Sequence, residues 1–448
     1  MSSLADGSNS MTITDTRSLL DPVSIDEFVA EYLERKVLHL PRNDPRLVDG
    51  IFDLDSMGHC LQYARPHLTS AVRVIAPDGG GDRSAEMLNA AAQDPKGGVA
   101  VMRSAFAERH TIIFTGAQDY WPSVERIVMD LRRALRSNVQ CNVYCTPPAS
   151  QGFDTHVDAH DVLVLQTSGS KTWRLHDVDH DLPLERSSFA SEMFPRLANS
   201  LPDHGEPTRE VVLRPGDVLY LPRGVPHSAA STDQHSVHLT IGLYPLRIHE
   251  LLARIGDLVA FQRVELRRRV PLEYYAEPAK APTAGDLLRQ AAELADACDP
   301  PIEIGRLLEI DEEGHAPPSS PNGSFASALA SNRVDLETVL ERPEGRPWKC
   351  RRSGDEFRIS CGATMSLPAK LAPILPFFKK HERFRVGDMP PILTDNAKIT
   401  LGRNLLKAGV LRVSDQPAPA ISSSRSSGPA APEPSWLQAG TPGTTPNG

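Results

Sequence analysis

Four segments rich in β-branched and aromatic residues crowd into residues 139–245, and glycine, proline and aspartate break the gaps between them. They read VQCNVYCTP, DVLVLQTSGSKTWRLHD, EVVLRPGDVLYLPRGVPHSAA and HSVHLTIGLYP. Short strands punctuated by such turn residues predict an all-β sandwich or barrel. Whatever else the chain builds must be arranged around that core.

The flanks are helical in pattern. In DPVSIDEFVAEYLERKVLHL, Ser24 and Glu27 stand at capping-box spacing, and Ile25, Phe28, Val29, Tyr32 and Leu33 recur at helical period. WPSVERIVMDLRRALRS, from Trp121, predicts a second amphipathic helix. Residues 77–98, rich in Gly, Asp and Ala, predict a surface loop with a short helix. Beyond the core, LLARIGDLVAFQRVELRRRV and AGDLLRQAAELADAC predict helices over 246–314. A polar stretch, 315–324, precedes a module at 325–413 that ends in the capped helix and short strand of TDNAKITLGRNLLKAGVLRV. Residues 1–18 and 414–448 are expected to be disordered tails, the second for its Pro, Ser, Ala and Gly content. The core domain is then 19–245, and the fold class is α+β.

Composition bounds the partners. With 448 residues the chain exceeds a single typical domain. A net charge of −9 gives no general affinity for polyanions. Six scattered cysteines make no disulfide framework, so a reducing cytoplasm is expected. The start lacks the pattern of a secretory signal, and no apolar run is long enough to span a membrane.

The chemistry concentrates in QGFDTHVDAHDVLVLQ. On a strand, residues i and i+2 share a face, so His156 and Asp158 are expected to point the same way. RPGDVLYLPRGVPHS then predicts a turn, a buried strand and a second turn that presents His227. Two imidazoles and one carboxylate leave three cis positions open on a metal, which suits non-haem Fe(II). The bland alternative is a set of hydrogen-bonded histidines in a structural barrel.

QGFDTHVDAHDVLVLQTSGSKTWRL and RPGDVLYLPRGVPHSA, with NVYCTPP before them, resemble the cupin-like branch of the JmjC oxygenases, the ribosomal oxygenases that hydroxylate protein side chains. The resemblance runs from about residue 19 to 413. It implies a double-stranded β-helix core, a helical dimerisation region and a C-terminal winged helix. It also implies Fe(II), with 2-oxoglutarate and O₂ as co-substrates. Lys171 matches the cation that pairs with the distal carboxylate of 2-oxoglutarate, a contact a dicarboxylate chelating at its other end requires. Asn142 and Tyr144 match polar residues that line the same pocket. Gly242 stands where relatives often carry a hydroxyl, which leaves Thr240 as the substitute. The implied substrate is a His or Arg side chain of a ribosomal protein, and the implied assembly a homodimer. A demethylase would use the same iron chemistry. Alternatives are hydroxylation of a small molecule or biosynthetic peptide, or a non-catalytic cupin-like protein that grips nucleic acid.

Other residues read as structural. His160, at i+4 from His156, is expected on the ligand face with a possible contact to substrate. His235 and His238 are expected to be satisfied barrel histidines, Trp173 core packing, and Arg267–Arg269 a solvated helix face. Between Arg346 and Val413 there are 14 Lys and Arg against 5 Asp and Glu, an excess of nine positive charges. That could serve nucleic acid, but a scaffold module is the favoured reading.

Overall fold

The computed structural model describes residues 12–417 apart from 64–67, 78–79, 94–97, 179–181, 185–204, 316–328, 344–347, 354, 362–363 and 415. The chain divides into two units, 1–315 and 316–448. The helices expected after the core thus belong to the same unit as the core. Residues 1–11 of the expected N-terminal tail, most of the C-terminal tail and most of the stretch at 315–324 fall outside the described residues.

The first unit holds β1 (Leu38–Leu40), β2 (Val72–Ile75), β3 (Thr111–Phe114), β4 (Asn138–Thr146), β5 (Asp161–Leu175), β6 (Arg209–Leu213), β7 (Val218–Leu221) and β8 (His227–Tyr244). They form one antiparallel sheet in the order β1-β7-β5-β8-β4-β3-β2, with β6 also on β5. β5 and β8 pair along most of their lengths, and the register shifts between Gln166 and Ser168 and between Gly169 and Lys171. Gly169 sits there at φ +61°, where a Cβ would lie 1.7 Å from the His235 carbonyl oxygen. No residue but glycine fits that crossing. The irregularity lets β5 take β7, β8 and β6 as neighbours, an antiparallel cupin arrangement consistent with a double-stranded β-helix.

Strand alternation separates two faces. Val237, Leu239, Ile241 and Leu243 of β8 join Cys141, Val143 and Cys145 of β4 in the main core. The helix Pro122–Leu135 covers this face with Val124, Ile127, Val128 and Leu131. Pro122 opens that helix at a position where its missing N–H costs nothing. Each such aliphatic side chain, fully buried, stabilises by about 1.5–3 kcal/mol. On the opposite face, Val162, Val164, Trp173, Leu213, Leu219 and Leu221 form a second cluster. The polar residues of β4 and β8 face the same way as that cluster.

Three local expectations are corrected. Order begins before residue 18: Ile13 is buried and its N–H donates to the Leu47 carbonyl, and Asp15 caps a helix at Thr16–Leu20. The helix expected over 25–33 is a short α-turn, Ile25–Glu27, capped by Ser24, that widens into a π-helix at Phe28–Tyr32. Phe28 packs edge-on against Tyr220 while Val29 stays exposed, so one face alone is buried. Arg267 ends a 3₁₀ turn and Arg268 and Arg269 follow it, all exposed, so no helix face carries them.

The later helices are Ile248–Gln262, Leu272–Ala276, Ala284–Asp296 and Ile304–His315. Val259 is buried within the unit, whereas Ile248, Leu252, Phe261 and Leu288 are 62–83% exposed.

The second unit has β9 (Val339–Glu341), β10 (Lys349–Ser353), β11 (Glu356–Ser360), β12 (Thr364–Pro368), β13 (Arg383–Arg385) and β14 (Arg412–Val413). They make two antiparallel sheets, β10-β11-β12 and β13-β9-β14. Thr394 caps the helix Asp395–Lys407, whose Leu401, Leu405 and Leu406 enter this unit's core. Lys398, one of the fourteen cations counted above, is buried, and its Nζ donates to the Gly387 carbonyl. Arg383 and Arg412 pair with Glu341, Arg342 with Glu382, and Arg385 with Glu337. Three of the fourteen cations counted above, Arg383, Arg385 and Arg412, are therefore engaged with local carboxylates.

Candidate metal centre

His227 opens β8, directly after the turn that leaves β7, as the sequence predicts. His156 and Asp158 differ from expectation, because β5 begins only at Asp161. They lie on an extended segment before that strand. An isolated antiparallel bridge joins this segment to β8, and it replaces the strand context. His156 and His227 exchange N–H···O=C bonds of 3.0 and 2.9 Å, and the Gly224 N–H donates to the Asp158 carbonyl at 3.1 Å.

The side chains converge. One ligand atom from each of His156, Asp158 and His227 lies within 4.8 Å of the others, and the His227 Nε2 is 3.6 Å from an Asp158 carboxylate oxygen. The Nδ1 of His156 sits 2.8 Å from the Asp154 carbonyl, and that of His227 3.0 Å from the Val225 carbonyl. A carbonyl only accepts, so both Nδ1 atoms carry the proton and both Nε2 lone pairs are left for a ligand. Burial and the neighbouring His156 push the His227 pKa down to about 4, against the pull of Asp158, so its imidazole is neutral. Two imidazoles that each present Nε2, with a carboxylate beside them, fit a divalent first-row metal with open positions.

A polar strip runs away from the triad on the same sheet face. Trp173 stacks on His227 at 5.8 Å between centroids and meets His238 edge-on at 5.7 Å. His238 stacks on Tyr144 at 5.0 Å. Lys171 lies beyond, 5.9 Å from the Tyr144 ring centre, and its Nζ donates to the Thr146 hydroxyl at 3.2 Å. Lys171 is 4% exposed, and burial pushes its pKa down to about 7. Asn142 faces Thr240 across the β4–β8 ladder, and its side-chain oxygen accepts from the Gly116 N–H.

Sequence reading missed Thr146 and the role of Trp173. Thr146 follows Asn142 and Tyr144 at two-residue steps on one strand, so alternation alone could have found it. Trp173, expected as packing, backs a triad histidine. His235 behaves as expected and bonds Ser168 through Nε2. His238 does not: its Nδ1 is buried without a hydrogen-bond partner among the described residues, and its pKa is well below the usual value. His160 stacks on Tyr244 at 4.7 Å. This pair explains Gly242, because a Cβ there would lie 2.8 Å from the His160 ring and 2.9 Å from Tyr244. A hydroxyl side chain at 242 and that stack cannot coexist without movement.

An antiparallel cupin sheet carrying a His/Asp/His facial set defines the class of the site as a mononuclear metal centre. Residues 115–251 match the JmjC domain. The curated relatives include a bifunctional lysine-specific demethylase and histidyl-hydroxylase NO66 of Dictyostelium discoideum, 29% identical over 68% of this chain and 60% of that protein. Ribosomal oxygenase 2 of Rattus norvegicus is 34% identical over 51% of this chain and 46% of its own. The chain therefore spans less than two thirds of these relatives. The Escherichia coli ribosomal oxygenase YcfD, solved with cobalt and 2-oxoglutarate, aligns over 88% of this chain and 98% of its own at 16% identity and a TM-score of 0.45.

Proposed function

We propose that the protein is an Fe(II)- and 2-oxoglutarate-dependent oxygenase that hydroxylates a protein side chain, a histidine or arginine of a ribosomal protein. Lys171 carries the reading. A buried ammonium with a hydroxyl neighbour, and no carboxylate partner among the described residues, is costly unless an anion completes it. It sits at the end of a continuous run of ring contacts from the triad, through Trp173, His238 and Tyr144.

His156, Asp158 and His227 would hold the metal. Iron held there would activate O₂, the oxidant, one atom of which would enter succinate as 2-oxoglutarate loses CO₂ and the other an unactivated C–H as a hydroxyl. Lys171 and Thr146 receive the distal carboxylate, and Asn142, Tyr144 and Thr240 line the passage between. Asp154 and Val225 keep the imidazoles in the ligating tautomer. The names of the relatives, histidyl-hydroxylase and ribosomal oxygenase, support the class of acceptor. The test is Fe(II)-dependent decarboxylation of 2-oxoglutarate. Mass spectrometry of ribosomal proteins made with and without the enzyme should then show a residue that gains one oxygen atom. No decarboxylation with Fe(II) present would end the reading.

The exposed apolar residues of the 248–296 helices support a homodimer in which a second copy covers them. Light scattering at micromolar concentration should give twice the chain mass, and a monomer throughout would rule this out. We read the second unit as a winged-helix scaffold rather than a nucleic-acid reader, because Leu401, Leu405 and Leu406 turn its last helix into the unit's core and Arg342, Arg383 and Arg412 pair within the unit. Changing Arg403 and Lys407 to Glu should leave any weak DNA or RNA binding unaltered. Tight binding at physiological salt, lost in that variant with a steep salt slope, would reverse the reading. Among the described residues no helix is long and apolar enough to cross a membrane, and the six free cysteines suit a cytoplasmic setting.

A further inference from the structure

Asp161 is fully buried, yet alternation turns it away from the metal. Val162 and Val164 belong to the cluster on the triad side, while Leu163 and Leu165 belong to the main core. Asp161 shares the parity of the latter, so it is no fourth ligand. Its burial needs another cause.

The carboxylate supplies one. Asp161 Oδ1 accepts the backbone N–H of Arg223 at 2.8 Å, inside the turn that presents His227. Its Oδ2 lies 3.7 Å from the Arg223 guanidinium and has no hydrogen-bond partner among the described residues. The same guanidinium pairs with Glu34. Glu34 is held in the left-handed region at φ +59°, and its N–H donates to the Tyr220 hydroxyl at 2.8 Å. Three residues before Asp161, the Asp158 carbonyl receives the Gly224 N–H, and beyond it come the reciprocal bonds of His156 and His227. The side chain of Asp161 thus adds a rung to the backbone ladder that brings the two ligand-bearing segments together.

Asp161 and Arg223 are buried while the Glu34 side chain is 38% exposed, and a buried ion pair is weak evidence of a role in stability, since apolar replacements of similar volume often do as well. We propose that Asp161 and Arg223, braced by Glu34, are positioning residues that set the spacing of Asp158 and His227 and thereby the metal affinity of the site. The inference rests on the metal reading of the triad, and its test separates the two.

Metal affinity is the readout. The full chain is titrated with Co(II), followed by calorimetry and by the visible absorption of the bound ion. Asp161→Leu should keep a cooperative thermal transition without metal, but bind Co(II) about 10- to 100-fold more weakly, with a shifted absorption spectrum. Asp161→Asn keeps an acceptor for the Arg223 N–H and loses the charge, so it should recover part of the affinity. Should Asp161→Leu fail to fold, Asp161→Asn decides alone: weaker binding and a shifted spectrum sustain the proposal. Variants with wild-type Co(II) affinity and spectrum, whatever their melting temperature, overturn it. His156→Ala is the control, and if it binds Co(II) like the wild type the metal reading itself fails.

Discussion

His156→Ala and His227→Ala each remove Fe(II) binding and with it all turnover of 2-oxoglutarate, while the chain stays folded. The expectation follows from how each ligand is held. Both histidines contribute to the fold through backbone bonds to one another, and alanine keeps those bonds. What alanine removes is an Nε2 lone pair, and a site of three protein ligands has no spare. His227 is the more exacting of the two, because Trp173 stacks on it and its deletion also leaves a gap beside that ring. Titration with Co(II) or Mn(II) and a decarboxylation assay check the result. A double alanine variant with the wild-type rate would defeat the assignment of the triad.

The second large effect concerns Lys171. Lys171→Ala should weaken 2-oxoglutarate binding and leave the affinity for metal unchanged. Hydrogen bonds to charged groups are worth about 1.5–3 kcal/mol, which is about a 10- to 150-fold loss of affinity. Proton linkage gives an independent signature. Burial holds the free-enzyme pKa at about 7, whereas the unfolded chain keeps the ordinary lysine value of 10.5. Between these values the unfolded state binds more protons, so stability rises as pH climbs from about 7 towards 10.5. Lys171→Ala should remove that rise. A dicarboxylate beside the ammonium favours its charged form. Binding of 2-oxoglutarate near pH 8.5 should therefore take up about one proton, and near pH 6 almost none. Calorimetry in two buffers of different ionisation enthalpy measures the uptake. An unchanged KM for 2-oxoglutarate in Lys171→Ala, or no uptake at the higher pH, would move the anchor to another cation.

The convergence of His156, Asp158 and His227 was legible because their spacing is a local property. HVD and the RPGD…PRGVPH run each fit on a few consecutive residues, and the strands that carry the deeper pocket alternate as their sequences do. The strand expected under His156 was an error of degree. The segment is extended and paired, but its pairing comes from His227, 71 positions away, and no local pattern records that. The same limit hid the π-helix at Phe28–Tyr32, whose widened turn accompanies Phe28 packing against Tyr220 nearly two hundred residues on. Ile13 was read as tail because its partners, Leu47 among them, lie outside its own segment. Lys398 was counted within the basic excess because nothing in its own segment shows that the carbonyl accepting its hydrogen bond belongs to Gly387.

The reciprocal bonds between His156 and His227 have a consequence for how such a protein can change. Peptide groups, identical at every residue, do the joining, so the separation of the two imidazoles is indifferent to the side chains at Thr155 and Val157. A chain built this way can acquire a taste for a new acceptor by altering the rim of its site, and it carries the reaction along unaltered.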